Sequence, residues 1–179
     1  MIMEKDNTQK NLNRHKRILE DKRYLKCLSD IEELEKNRIF CKHNLSHFIN
    51  VARIATIIWQ EEGGRNSLKR DIIYAAGLLH DIGRAEEYTK GTPHEEAGAI
   101  IAGEILQSSG YEDKEIEMIT RAISAHRVKY DNRAKENKDI DYLGQIISKA
   151  DKLSRECFSC SASDMCKWSK EKKNKSLEY

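Results

Sequence analysis

The stretch Ile72-Ile73-Tyr74-Ala75-Ala76-Gly77-Leu78-Leu79-His80-Asp81-Ile82-Gly83-Arg84 decides the fold. Its first eight residues bear no charge. A run this apolar, closing on a glycine turn, reads as a helix at the centre of a core, with Ser67 as its N-cap and an end near Gly83. His80 and Asp81 stand at the end of that run. Two ionisable groups there are costly to bury uncompensated, and a metal ion would compensate both. The pair is therefore a candidate site as well as the end of a helix.

Helical spacing continues on both sides. Towards the N-terminus it predicts a helix over about Gln9 to Arg38, with Leu25, Leu28, Ile31 and Leu34 as its apolar stripe. A second helix begins near Asn44, carries Phe48, Val51, Ile54, Ala55, Ile58 and Trp59, and stops at Gly63 and Gly64. Beyond the turn Gly91-Thr92-Pro93, helices are expected from His94 to about Ser109, from Asp113 to about His126, and from Asp141 to about Arg155. The charged stretch Lys129 to Asp139 reads as an exposed loop. One proline in 179 residues, with few alternating β-branched runs, makes the chain all-α.

Charge and composition exclude several functions. A formal net charge of +2 provides no global field to draw the protein onto nucleic acid or an anionic membrane. The tail lysines from Lys167 to Lys175 lack the interleaved aromatics of a single-strand binding surface. No apolar stretch approaches the roughly 20 residues that span a bilayer, and Met1 to Lys10 lacks the apolar core of a secretory signal. The expected location is cytoplasmic. Walker loop, Gly-x-Ser-x-Gly elbow, zincin helix and dinucleotide-binding turn are all missing from the sequence.

The histidines and aspartates are the remaining chemistry. His47 precedes Val51, Ala52 and Ala55; His80-Asp81 precedes Ile82-Gly83; Asp151 lies in Lys149-Ala150-Asp151-Lys152. This ordered set resembles the HD-domain metal-dependent phosphohydrolases, over about residues 43 to 155. The resemblance implies a single helical bundle of about six or seven helices over residues 41–156. Residues 1–40 would be a helical extension packed on it, and 157–179 a cysteine-containing segment ending in a disordered basic tail. It also implies that His47, His80, Asp81 and Asp151 hold a first divalent metal, drawn from Fe, Mn, Zn, Co or Ni. His94 and His126 match a longer form of the pattern, in which two further histidines bind a second ion and Asp81 bridges the pair. In that longer form the chain is similar, at motif level, to bacterial HD enzymes that split diadenosine tetraphosphate symmetrically.

The implied activity is hydrolysis of a phosphate ester or anhydride in a small phosphorylated molecule, with a nucleotide or dinucleoside polyphosphate as the expected substrate. Two other readings stand beside it: a non-catalytic metal or nucleotide sensor, and a diiron, oxygen-activating HD protein. Arg84, just after the glycine turn, is expected to contact phosphate and offset charge developing on the phosphoryl oxygens. His43 lies one turn before His47 and is a candidate substrate contact.

Five cysteines remain. In a reducing compartment the cluster Cys157, Cys160 and Cys166 suggests thiols or metal ligands before disulfides. Cys157-x-x-Cys160 is a two-ligand element for zinc or iron–sulfur, to which Cys166 adds a third thiolate and Cys41 a fourth. Cys41 lies six residues before His47 and Cys157 six after Asp151. If both segments are helical and antiparallel, they are displaced from the metal in the same direction by about 9 Å.

Overall fold

A computed structural model describes residues 14–64, 68–125 and 138–179. Eight α-helices run through the described residues: α1 Arg14–Glu20, α2 Lys22–Leu34, α3 Leu45–Glu61, α4 Arg70–Leu79, α5 Arg84–Lys90, α6 His94–Ser109, α7 Asp113–Ala125 and α8 Lys138–Leu153. There is no strand among them.

The central helix is α4. Ile72, Ile73, Ala75, Ala76, Gly77, Leu78 and Leu79 are all buried, so apolar surface is covered on every side of it. It packs chiefly against α3, and also meets α1, α6, α7 and α8, while α8 in turn packs on α3 and α7. One apolar core results, running from Ile18 through Phe48, Ile73 and Ile105 to Ile147. Complete burial of each such side chain is worth about 1.5–3 kcal/mol. The α3–α4 contact is unusually close: a Cβ on Gly77 would stand 2.6 Å from Ala52 Cα.

The N-terminal region departs from the expected single helix. Asp21 breaks it, adopting an extended conformation and capping α2 by accepting hydrogen bonds from the amides of Arg23 and Tyr24. The buried face is Ile18, Tyr24, Leu28 and Ile31, while Leu25 and Leu34 are exposed. Buried Arg14 locks this extension down, binding Asp71 of α4 and Glu115 of α7 while lying 4.2 Å from the centroid of the Tyr111 ring.

The helices expected from near Asn44, from His94 and from Asp113 are present. α5 is an addition: the chain after the Gly83 turn winds through seven helical residues before Gly91 ends it in the left-handed region. Ser67 and His126, and most of the charged stretch 129–139, lie outside the described residues. The segment after α8, expected to end in a disordered tail, instead shows specific contacts. Asn174 donates to the carbonyls of Leu153 and Arg155, and the Tyr179 hydroxyl donates to Glu61.

Candidate metal centre

Three helix ends converge beside the core. Asn44 caps α3 by accepting from the His47 amide at 3.0 Å, so His47 lies in the first turn. His80 is the C-cap of α4, with Asp81 directly after it, and Asp151 lies near the end of α8. The turn after the doublet needs glycine for close approach. A Cβ on Gly83 would meet the His94 carbonyl oxygen at 2.2 Å and the Gly98 amide at 2.5 Å. This contact seats the start of α6 against the doublet and brings His94 to Asp81.

One ligand atom from each of His47, His80, Asp81 and Asp151 lies within 4.8 Å of the others. His80 and Asp81 are buried, and His47 and Asp151 half-buried. Hydrogen bonds assign the imidazole tautomers. His80 Nδ1 is 2.8 Å from the Gly77 carbonyl, which accepts its proton, and Nε2 faces Asp81 Oδ2 at 3.3 Å, a carboxylate whose charge outweighs burial and favours a cation there. The Ser154 hydroxyl donates to the Asp151 carbonyl, leaving its oxygen to accept from His47 Nδ1 at 3.3 Å. His47 Nε2 is then a buried nitrogen without a hydrogen bond, 3.6 Å from Asp151 Oδ1.

Imidazole nitrogens facing carboxylate oxygens at these separations call for a shared cation, either a proton or a metal ion. Two imidazoles and two carboxylates are a donor set suited to borderline divalent transition metals. The residues therefore fit the ion that the sequence implies.

Electrostatics point the same way. Burial, reinforced by His80, pushes His47 down to about 4, so it is neutral and ligand-ready at pH 7. Burial alone would raise Asp81, but His80, His94 and Arg84 outweigh it and hold the carboxyl well below the ordinary range. For Asp151, burial is likewise outweighed by Arg155, whose guanidinium binds Oδ2 at 2.8 Å. The other oxygen is left toward His47.

Asp81 also faces a second group. His94 is fully buried, with Nε2 3.0 Å from Asp81 Oδ1 and Nδ1 3.0 Å from Glu87 and 3.1 Å from Glu95. Glu87, His94 and Glu95 make a second set of converging donors. Its two carboxylates are not among the expected site residues, although Glu95 adjoins His94 in sequence. Arg84 turns into this cluster, with Nε 3.0 Å from Asp81 Oδ1 and Nη1 3.0 Å from Glu87.

His43 Nε2 is 3.5 Å from Asp81 Oδ2. Its position depends on Glu35, which accepts from the His43 amide at 2.7 Å, lies 2.6 Å from Nδ1, and accepts from the Tyr88 hydroxyl. Glu35 is also absent from the expected set. Its signal is its register: Tyr24, Leu28, Ile31 and Glu35 follow helical spacing, so this acid continues the buried face.

The cysteines are placed in part as expected. Neither flanking segment is helical at the thiol, since α3 starts at Leu45 and α8 ends at Leu153. Even so, Cys41, Cys157 and Cys160 line one cavity of about 450 Å³ with Lys42, His47 and Arg155. Cys166 is not part of its wall, and no three thiols lie within 4.8 Å of one another.

The family model described as the HD domain matches residues 44–156. An uncharacterized protein of Clostridium beijerinckii is 43% identical over 162 residues, covering 90% of this chain and 96% of that protein. A crystal structure of a predicted HD superfamily hydrolase from an uncultured Thermotogales bacterium superposes with a TM-score of 0.52 at 27% identity. That match covers 72% of this chain and 66% of the other, just under two thirds of its length.

Proposed function

Because the chain belongs to the HD domain family, we propose that it is a metal-dependent phosphohydrolase acting on a small phosphorylated substrate, of nucleotide or dinucleoside polyphosphate class. The observation that carries this reading is the convergence of His47, His80, Asp81 and Asp151 within 4.8 Å from three separate helices. His47, His80, Asp81 and Asp151 would hold one divalent ion. By the longer sequence pattern, His94 and His126 would join Asp81 in holding a second ion. When bound, such an ion supplies a water with its pKa lowered from 15.7 to about 7 and neutralises charge on the phosphoryl oxygens.

The chain's own residues do the rest. Gly77 and Ser154 fix the two imidazoles in the tautomer that presents Nε2, and Arg155 orients Asp151. Arg84 pairs with Asp81 and would exchange part of that pairing for a phosphoryl oxygen. His43, oriented by Glu35, borders the same carboxylate as a substrate contact. The free thiols suit a reducing, cytoplasmic setting.

The test is metal analysis of anaerobically purified protein, followed by a phosphate-release screen over nucleotides, dinucleoside polyphosphates and sugar phosphates. Asp81→Ala is expected to lose both metal and turnover while keeping its helical circular dichroism. Undiminished hydrolysis by metal-free Asp81→Ala would refute the assignment. Arg84→Ala should keep its metal yet lose about 1.5–3 kcal/mol in kcat/KM, the worth of a charge-assisted hydrogen bond. Wild-type kinetics in that variant would remove Arg84 from substrate handling.

A further inference from the structure

The match to the HD domain ends at residue 156, and the chain beyond it folds back onto the end of α8. Asn174 donates from its side-chain amide to the carbonyls of Leu153 at 2.8 Å and Arg155 at 3.1 Å. The Leu153 carbonyl is among the last of a helix, which find no partner within it. Trp168 lays its ring against Arg155, whose Cζ is 4.1 Å from the ring centroid. The same segment is tied to itself by Lys173, which donates to the Ser163 carbonyl at 2.6 Å. It is tied to α3 by the Tyr179 hydroxyl, which donates to Glu61 at 3.0 Å.

The turn that Asn174 and Trp168 hold serves two residues of the histidine–aspartate set. Arg155 binds Asp151 Oδ2 at 2.8 Å, leaving Oδ1 toward His47 Nε2 at 3.6 Å. Ser154, between the two carbonyls that Asn174 binds, stands 3.3 Å from His47 Nδ1. Hydrogen bonding alone does not fix the guanidinium: Nη2 reaches Asp151, whereas Nη1 is buried without a hydrogen-bond partner. A planar group held at one nitrogen can still turn about that bond. An aromatic face stacked on its plane removes this freedom and also attracts the cation. Trp168 itself is 41% exposed and takes no part in the apolar core; the cations over its ring are Arg155 and, at 5.5 Å, Lys172.

We infer that Trp168 and Asn174 are positioning residues for the first metal site, acting through Arg155 and the backbone of 153–155 to hold Asp151 and His47 in the arrangement that receives the ion. The inference rests on the reading of those two residues as ligands. It extends the support of the site into a segment that lies beyond the HD match.

The test is cobalt(II) binding to metal-free protein, followed by visible absorption, with His47→Ala as the background lacking one ligand. Loss of an outer partner of a metal ligand lowers metal affinity by about 10–100-fold. Trp168→Leu, one contact further out, should weaken cobalt binding by about 10-fold, and Asn174→Ala should act in the same direction. Trp168→Phe keeps a ring face for the guanidinium and should restore most of the affinity. Met165→Ala, a 65% exposed apolar position in the same segment, should bind as wild type does. In an Arg155→Met background, Trp168→Leu should cause no further loss, because the contact it removes is already gone. This cycle and the phenylalanine rescue separate positioning from a general loss of fold. Wild-type affinity in Trp168→Leu or Asn174→Ala, or an equal loss from Trp168→Leu with and without Arg155, would overturn the inference and leave the ligand reading intact. Cobalt binding no tighter in wild type than in His47→Ala would overturn that reading, and the inference with it.

Discussion

Gly77→Ala should destabilise the protein, although alanine is the better helix former. In an exposed helix the substitution gains about 1 kcal/mol. Here the new methyl would stand 2.6 Å from Ala52 Cα, 2.8 Å from Ala52 Cβ and 2.8 Å from the Ala52 amide nitrogen. Ordinary carbon contacts are about 3.5–4.0 Å, so α3 and α4 must part by about 1 Å. The obstacle is backbone and the β-carbon attached to it, with no flexible side chain to move aside, so the cost belongs at the upper end of the 1–3 kcal/mol for overpacking. After the propensity gain, about 2 kcal/mol of destabilisation remains, equivalent to a Tm lower by about 4–8 °C in a chain of this size. Gly103→Ala is the internal control, since its Cβ meets only Thr120 Cγ2 at 3.8 Å. It should gain up to about 1 kcal/mol by the same propensity. Thermal unfolding followed by circular dichroism reads both. Equal signs in the two variants, or a Gly77→Ala midpoint at or above wild type, would refute the close-packing account. Because α3 carries His47 and α4 ends at His80, the same displacement should reduce metal retention in Gly77→Ala.

Arg14→Met should leave Asp71 and Glu115 as buried carboxylates without their shared cation, at a cost of about 3–5 kcal/mol in urea unfolding. A loss below about 1 kcal/mol would show that water, not Arg14, satisfies those acids. Burial opposes ionisation of Glu35, but His43 and Tyr88 outweigh it and hold its pKa at about 2, against an ordinary 4.5. A depressed carboxyl contributes stability that is complete above about pH 4.5 and is lost as pH falls toward 2, here worth about 3 kcal/mol as an order of magnitude. The stability gap between wild type and Glu35→Gln should therefore be widest near neutral pH and narrow across that acid window. A gap constant with pH would contradict the assignment of the ionised carboxylate as His43's partner.

The helices, and the four residues that the structure brings within 4.8 Å of one another, were legible in the sequence because their signals are local. Apolar spacing marks α3, α4, α6 and α7, and Gly110 stops α6 within its own turn. His47, His80-Asp81 and Asp151 each sit in a recognisable helix context, and their order supplied the resemblance to the family. The ends of elements were less legible: a polar side chain at Asp21 breaks a run whose periodicity alone continues, and α5 is short enough to carry no apolar stripe. Tertiary structure decided whatever depends on which groups meet across helices. Leu25 is exposed while Glu35 is buried, because α2 turns Tyr24, Leu28 and Ile31 inward and the acid follows in register. Arg84 meets Asp81 and Glu87 within its own segment, three residues to either side, but His94 joins that charge cluster only because the Gly83 turn packs α6 against the doublet. Cys41 and Cys157 line one cavity through the pairing of α3 with α8, although neither lies in a helix. Periodicity within a segment records which residues seek burial, whereas the partner that meets each buried polar group is set only when separate helices are brought together.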